Sequence, residues 1–329
     1  MKILVTGAAG FLGSLLAEEL SIAHEVVGLD NMSAGDHRNV PDSISFATVD
    51  CREDISSLLR NVDIVFHCAA HPHEGLSVFS PSTICSSIFE ASVSVFSQAI
   101  AAGARRIVYF SSMARYGAQT PPFTEEHVPS PRDPYGIAKV AAEDVLRVLC
   151  NTHGVEYTIV VPHNIIGAHQ KYDDPFRNVA AIMANRLLLG MRPIVYGTGL
   201  QTRCFSDVRD ILPVLLSVAT HPLSGQIYNV GPDEEVVTIE HMGRMLAEII
   251  GAPWEPIRLP ARPLEVAHAH CSSAKIRKWF DYTTRYSLQE TLESLVLYIR
   301  HRRPKPFDYY LPLEIVNDKT PKFWTGEVK

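Results

Sequence analysis

Tyr135 and Lys139 stand four residues apart, with the pair Ser111-Ser112 about two dozen residues upstream. On a helix, a spacing of four puts both side chains on one face. An ammonium held beside a phenol stabilises the phenolate and draws its pKa down from about 10. The product is a base able to take a proton from a substrate hydroxyl, and a nearby serine hydroxyl can hold the same oxygen. Any amphipathic helix can carry Tyr and Lys at this spacing by chance. The reading therefore depends on what the rest of the chain builds around the pair.

The first thirty residues supply a partner for that base. Lys2-Ile3-Leu4-Val5 is a short apolar run that reads as a buried strand. It leads straight into Thr6-Gly7-Ala8-Ala9-Gly10-Phe11-Leu12-Gly13, and residues 14–20 then read as a helix. Glycines at GxxGxxG spacing let the backbone turn sharply and approach a pyrophosphate at a helix N-terminus, where free N–H groups favour an anion. Glu25-Val26-Val27-Gly28-Leu29 is a second strand, ending at Asp30 and Asn31. A carboxylate there accepts bonds from ribose hydroxyls and repels a 2′-phosphate, so NAD is expected rather than NADP. Gly7, Gly10, Phe11, Leu12, Gly13, Asp30 and Asn31 are the expected contacts of its adenosine and pyrophosphate.

With these residues in place, the chain resembles the extended short-chain dehydrogenase/reductase family, in its NAD-dependent nucleotide-sugar epimerase/dehydratase branch (UDP-glucose/UDP-N-acetylglucosamine 4-epimerase-like). The resemblance runs from Met1 to about Ser287. It implies that Asp50 and Cys51 lie against the adenine, and that the strand Val65-Phe66-His67-Cys68-Ala69-Ala70 brings Ala69 and Ala70 to the cofactor, joined by Pro162. It implies that Ser112, four residues before Tyr116-Gly117, is catalytic together with Tyr135 and Lys139, the last two also touching the cofactor. Ser111, Ser112 and Met113 are then expected near the reacting sugar, and Asn164, in a segment similar to the family's RPxNVYGP, reaches the substrate. Asn178 and Val179, at the start of a helix, and Arg203 and Arg262 are assigned to the diphosphate. Tyr196 is assigned to the base or the adjoining sugar. Counting seven residues from Arg262 puts Ala269 at the sugar's C2 substituent, so that an N-acetyl group would fit.

The shared opening step implied by the resemblance is proton removal from the sugar 4-hydroxyl by Tyr135 as hydride leaves C4, giving a 4-keto sugar. Dehydratases of the family follow the serine with Asp-Glu; here Met113 and Ala114 stand there. Without a second acid/base pair, 4-epimerisation of a UDP-sugar is the expected outcome. Another nucleotide-sugar modification beginning at C4 is the alternative, and a non-catalytic NAD-binding sensor the minor one. Two further departures stand out. Ile88-Phe89-Glu90-Ala91-Ser92 replaces an NVxGT segment, and no Lys occurs in residues 71–80, leaving His71 or His73 to serve there. Arg115 reads as an ion-paired side chain, with an acidic sugar or phosphate as the alternative, and His169 reads as pocket-lining.

At the level of the whole chain, 329 residues with 46% hydrophobic and 20% charged side chains describe an ordinary globular protein. A net charge of -6 and no basic run longer than His301-Arg302-Arg303 argue against nucleic acid as a partner. No apolar stretch reaches about 18 residues, and a strand from residue 2 leaves no room for a signal peptide, so a cytoplasmic protein off the membrane is expected. Six scattered cysteines suit reduced thiols. The clusters His71-Pro72-His73 and His268-Ala269-His270 lack a third ligand at helical spacing, so no metal is expected.

The expected fold is α/β: a Rossmann-type doubly wound parallel sheet with a smaller, interleaved C-terminal substrate domain. Residues 1–168, with about 204–230, form the NAD domain, and 169–203 with 231–300 bind the nucleotide sugar. Residues 301–329, with four prolines, read as an arm, either a homodimer contact or disordered.

Overall fold

The computed structural model describes residues 1–221 and 223–327, so Pro222 and the last two residues of the expected arm lie outside it. The first half alternates strand and helix. β1 (Lys2–Thr6), α1 (Phe11–Ser21), β2 (Glu25–Asp30), β3 (Ser45–Thr48) and β4 (Ile64–His67) are followed by a long helix in two parts, α2 (Pro81–Cys85) and α3 (Ala91–Ala101). Residues 86–90 between them form a single π-helical turn. β5 (Arg106–Phe110), α4 (Pro134–His153), β6 (Glu156–Pro162) and β7 (Ile165–Ile166) complete this half.

The sheet has seven parallel strands in the order β11-β6-β5-β4-β1-β2-β3, where β11 is Gln226–Val230. The order reverses between β1 and β4, the crevice where such sheets bind ligands beyond their carboxyl ends. Both faces are covered, which explains strands that are apolar throughout rather than alternating. Ile3 and Val5 of β1 pack with Leu16 and Leu20 of α1 on one face, while Leu4 packs with Val95, Phe96 and Leu146 on the other.

Between β7 and β11 the chain leaves the sheet through α5 (Val179–Leu188), β8 (Ile194–Tyr196), β9 (Thr202–Cys204) and β10 (Ser206–Asp207). It returns through α6 (Val208–Thr220), which packs beside α1. β12 (Val236–Thr238), α7 (Ile239–Ile250), β13 (Ile257–Leu259), β14 (His268–Ala269), α8 (Ala274–Phe280) and α9 (Leu288–Arg302) follow. α5, α7 and α9 share an apolar core of their own, and three small sheets, β12-β9-β14, β13-β8 and β10-β7, stand beside the large one. The α9 N-terminus shows why it starts where it does: Ser287 and Glu290 form a reciprocal capping box.

Two expectations change here. The stretch Pro81–Ala101 is 21 residues long with a mean hydropathy of 1.4, so by length and composition it could cross a membrane. Its Ile84, Ile88, Val95, Phe96 and Ala99 are buried against the sheet and its neighbours, as in a core helix. The residues after α9 are also packed rather than free. Leu311, Phe323 and Trp324 are buried in a cluster that includes Leu76, Phe79 and Tyr135.

Candidate active site

One cavity of about 730 Å³ runs from the β1–α1 turn to the second half of the chain. At one end Gly7 takes a left-handed φ of +71°, and a Cβ on it would lie 2.9 Å from the Ala69 backbone. Side chains are excluded because the loop presses against the end of β4. The N-cap of α1 is Gly10, with no side-chain cap and no acidic residue in the first turn, so its N–H groups remain available to an anion. Asp30, at the end of β2, accepts from Ala9 N at 3.2 Å and Met32 N at 2.8 Å. Burial raises its pKa, while those two N–H bonds lower it. A cradle that a Cβ would fill, a helix N-terminus and a carboxylate at the second strand fit a dinucleotide with free ribose hydroxyls.

Asn31, Asp50, Cys51, Ala69, Ala70 and Pro162 line the same cavity. The Asp50 carboxylate is already held by Arg52 at 2.7 Å and Asn31 at 2.8 Å, and the Arg52 bond keeps its pKa well below the carboxylate range. Burial pushes the Cys51 thiol up to about 12, which makes it inert packing.

Where β5 ends, Ser112 caps a short 3₁₀ turn, its hydroxyl accepting from Ala114 N at 3.2 Å. α4 begins at Pro134 with Asp133 as its cap, which places Tyr135 in the first turn and Lys139 one turn on. Lys139 Nζ donates to Phe110 O at 2.7 Å and lies 6.0 Å from the Tyr135 ring centroid. Burial pushes Lys139 down to about 8, opposed by Cys68 and Glu143. Burial raises Tyr135, as do the charges of Glu74 and Asp133, while the Ser112 hydroxyl and the charge of Arg177 lower it. Ser112, Tyr135 and Lys139 all face the cavity.

Ser111 also borders the cavity, but its hydroxyl donates to Glu143. Glu143 is fully buried and accepts from Nε and Nη2 of Arg115, each at 3.0 Å, and Arg115 does not line the cavity, so it is an ion-paired residue behind the site and not an anion receptor within it.

In the second half, Asn164, Asn178, Val179, Tyr196, Arg203 and Arg262 line the cavity. Asn178 caps α5, and Asn164, at φ +45°, donates to Cys204 O at 3.0 Å. Arg203 is held by the Val266 carbonyl at 2.8 Å, and Arg262 by Glu265 at 2.6 Å. Both guanidinium groups thus approach the cavity from fixed positions.

Two expected substrate residues lie elsewhere. Met113 packs against the sheet core, because the 3₁₀ turn after Ser112 rotates it off the cavity wall. Ala269 is buried in that core beside Tyr116, Phe123 and Cys271, so it cannot gate the sugar's C2 substituent, and the N-acetyl inference loses its basis. The histidine expectations divide. His71 borders the cavity, whereas His73 is buried and paired with Asp174 at 2.8 Å. His169 bonds Ser14 at 2.9 Å and lines a separate surface depression near Arg302. No cluster of three metal-ligating side chains occurs among the described residues.

Several cavity residues carried no signal in the sequence. Glu74 and Arg177 open onto the cavity, and the Glu74 carboxylate has no hydrogen-bond partner among the described residues. Glu74 is solvent-exposed within the open cavity, yet the protein closely surrounding it raises its pKa, as does Asp133, while Arg203 and Arg262 lower it. Glu74 sits in an ordinary Gly-containing loop, so only the tertiary closure of the cavity reveals it.

A model of the NAD dependent epimerase/dehydratase family matches residues 3–231. A UDP-glucose 4-epimerase of Mycolicibacterium smegmatis is 31% identical over 317 residues, covering 92% of this chain and 99% of that protein. A UDP-N-acetyl-alpha-D-glucosaminuronate decarboxylase of Bacillus cytotoxicus is 26% identical, covering 91% and 98%. Among solved structures, UDP-glucose 4-epimerase of Thermus thermophilus in complex with NAD superposes with a TM-score of 0.85 at 28% identity, covering 91% and 99%.

Proposed function

The chain belongs to the NAD dependent epimerase/dehydratase family, and from that premise we propose that it 4-epimerises a UDP-sugar with Tyr135 as the base. NAD is the family's cofactor, and when bound it supplies the hydride acceptor and donor and a positive charge beside the phenol. The observation that carries the reading is the grouping of Ser112, Tyr135 and Lys139 on the cavity wall at the switch point of the sheet. Ser112 orients the sugar 4-hydroxyl towards the phenol oxygen. Lys139, fixed by the Phe110 carbonyl 6.0 Å from the Tyr135 ring, is assigned to favour the phenolate against the burial that otherwise keeps Tyr135 protonated. Loss of the hydroxyl proton to Tyr135 and of hydride from C4 would leave a 4-keto sugar; once turned over in the pocket it would take the hydride back on its other face, and Tyr135 would return the proton. No second acid or base is needed, and the turn after Ser112 offers none, since Met113 and Ala114 stand there.

Arg203 and Arg262 are assigned to the diphosphate, where guanidinium forks suit phosphate oxygens. Arg262→Ala is expected to raise KM for the UDP-sugar about 10- to 100-fold with kcat little changed, the range for losing a charge-assisted hydrogen bond. Steady-state kinetics checks the split. The six free cysteines support a reducing, cytoplasmic setting.

Glu74 favours a second reading. An unpaired carboxylate on the cavity, electrostatically felt by Tyr135, could serve as acid or base at another carbon of a keto sugar. Turnover of a UDP-sugar panel in D₂O, followed by NMR, separates the two. Simple 4-epimerisation gives the 4-epimer with no deuterium on carbon. Deuterium at C3 or C5, or a deoxy or decarboxylated product, would replace it with the second reading.

A further inference from the structure

The chain beyond α9 lies outside the residues that the family model matches, and the M. smegmatis and T. thermophilus enzymes leave 8–9% of this chain uncovered while being spanned almost completely themselves. Residues 303–327 nevertheless cross back over the cavity and tie its two sides together. Lys305 exchanges two backbone hydrogen bonds with the Asn185 side chain on α5, at 2.8 and 3.1 Å. Tyr310 donates to Asp174 at 2.9 Å. Glu314 caps the start of α2, on the cofactor side, accepting from Ser82 N at 2.9 Å and Thr83 N at 2.7 Å.

What this crossing delivers is a wall. Phe323 and Trp324 are 2% and 3% exposed and border the cavity. Trp324 meets Phe79 and Phe176 edge-on, at centroid distances of 5.8 and 5.5 Å. A Cβ added to Gly75 would lie 3.2 Å from an Arg262 nitrogen and 3.4 Å from the Trp324 ring. The indole and the guanidinium therefore flank the same glycine. Tyr135 belongs to the same apolar cluster as Phe323 and Trp324. The wall thus bounds the stretch of cavity between the base and the arginines.

We propose that residues 303–327 form a strap whose Trp324 is a specificity-determining residue, closing the hexose subsite and limiting the size of the sugar it admits. The inference rests on the nucleotide-sugar reading, because the hexose must lie between Tyr135 and Arg262. An indole edge excludes bulk while offering an apolar face to the CH side of a pyranose.

Trp324→Ala is the test, read as the ratio of kcat/KM for UDP-hexoses to that for bulkier UDP-N-acetylhexosamines. The ratio is expected to move about tenfold towards the bulkier sugars, the scale on which apolar pockets discriminate by size. NAD content and Tm establish that the variant is folded. Glu314→Ala, which removes the strap's side-chain cap on α2 without touching the wall and leaves its backbone bonds to the Phe79 carbonyl, is expected to shift the ratio the same way by a smaller factor, and it carries the test if Trp324→Ala fails to fold. Unchanged ratios in folded variants would overturn the strap's role while leaving the reading of function intact. A wild type silent on every nucleotide sugar would overturn that reading and, with it, the strap as a sugar gate.

Discussion

Tyr135→Phe is expected to cost about 10²- to 10⁴-fold in kcat, the usual contribution of a positioned base, with the fold and bound NAD retained. The phenol oxygen is the only atom lost, and the ring stays in the cluster with Leu76, Ala138 and Phe176. Burial alone raises the Tyr135 pKa, the wrong direction for a base at neutral pH. The lowering comes from Ser112 and the charge of Arg177, to which a bound cofactor would add its own positive charge. A folded, NAD-loaded Tyr135→Phe protein with full turnover would refute the assignment of the base. Measuring kcat beside NAD content and Tm separates loss of chemistry from loss of structure.

The second large effect is expected at Gly13. A Cβ there would lie 2.2 Å from the Gly7 carbonyl oxygen and 2.8 Å from its carbon. Both are backbone atoms, so no side-chain rotation relieves the overlap, and α1 must move off the turn that cradles the pyrophosphate. Overpacking of this kind costs roughly 1–3 kcal/mol, or about 10- to 100-fold in NAD retention if spent wholly on the bound state. Gly13→Ala protein should therefore purify with little NAD and a lowered Tm. Wild-type NAD content, measured after heat release, would show that helix and turn do not need this close approach.

The dinucleotide half was legible because its signals are local. A strand, three glycines and an acid follow one another within thirty residues, and each is dictated by backbone geometry. The Tyr135–Lys139 pair was legible for the same reason, lying one helical turn apart. Met113 and Ala269 were misread because counting along the chain does not say which way a short turn or a two-residue strand faces. Arg115 was more specific in space than in sequence, its buried bond to Glu143 joining α4 to the turn after β5. Glu74, Arg177 and Trp324 reach one cavity from segments up to 250 residues apart, and no spacing rule connects them. The tail was hardest to read, since prolines and charges suggest a loose arm until its aromatic residues are seen among Phe79, Phe176 and Tyr135.

The π-helical turn at residues 86–90 sets where this chain can change length. Such a turn holds one residue more than regular α-helix would place there. Removing a single residue from 86–90 would restore the ordinary pitch and leave Val95, Phe96 and Ala99 on their buried face. Removing one from 91–95 instead would rotate the remainder of α3 by about 100° and swing Ser97, which is exposed, into the place of Phe96. One stretch of this helix is thus a tolerated site for a one-residue deletion, and its neighbour, five residues on, is not.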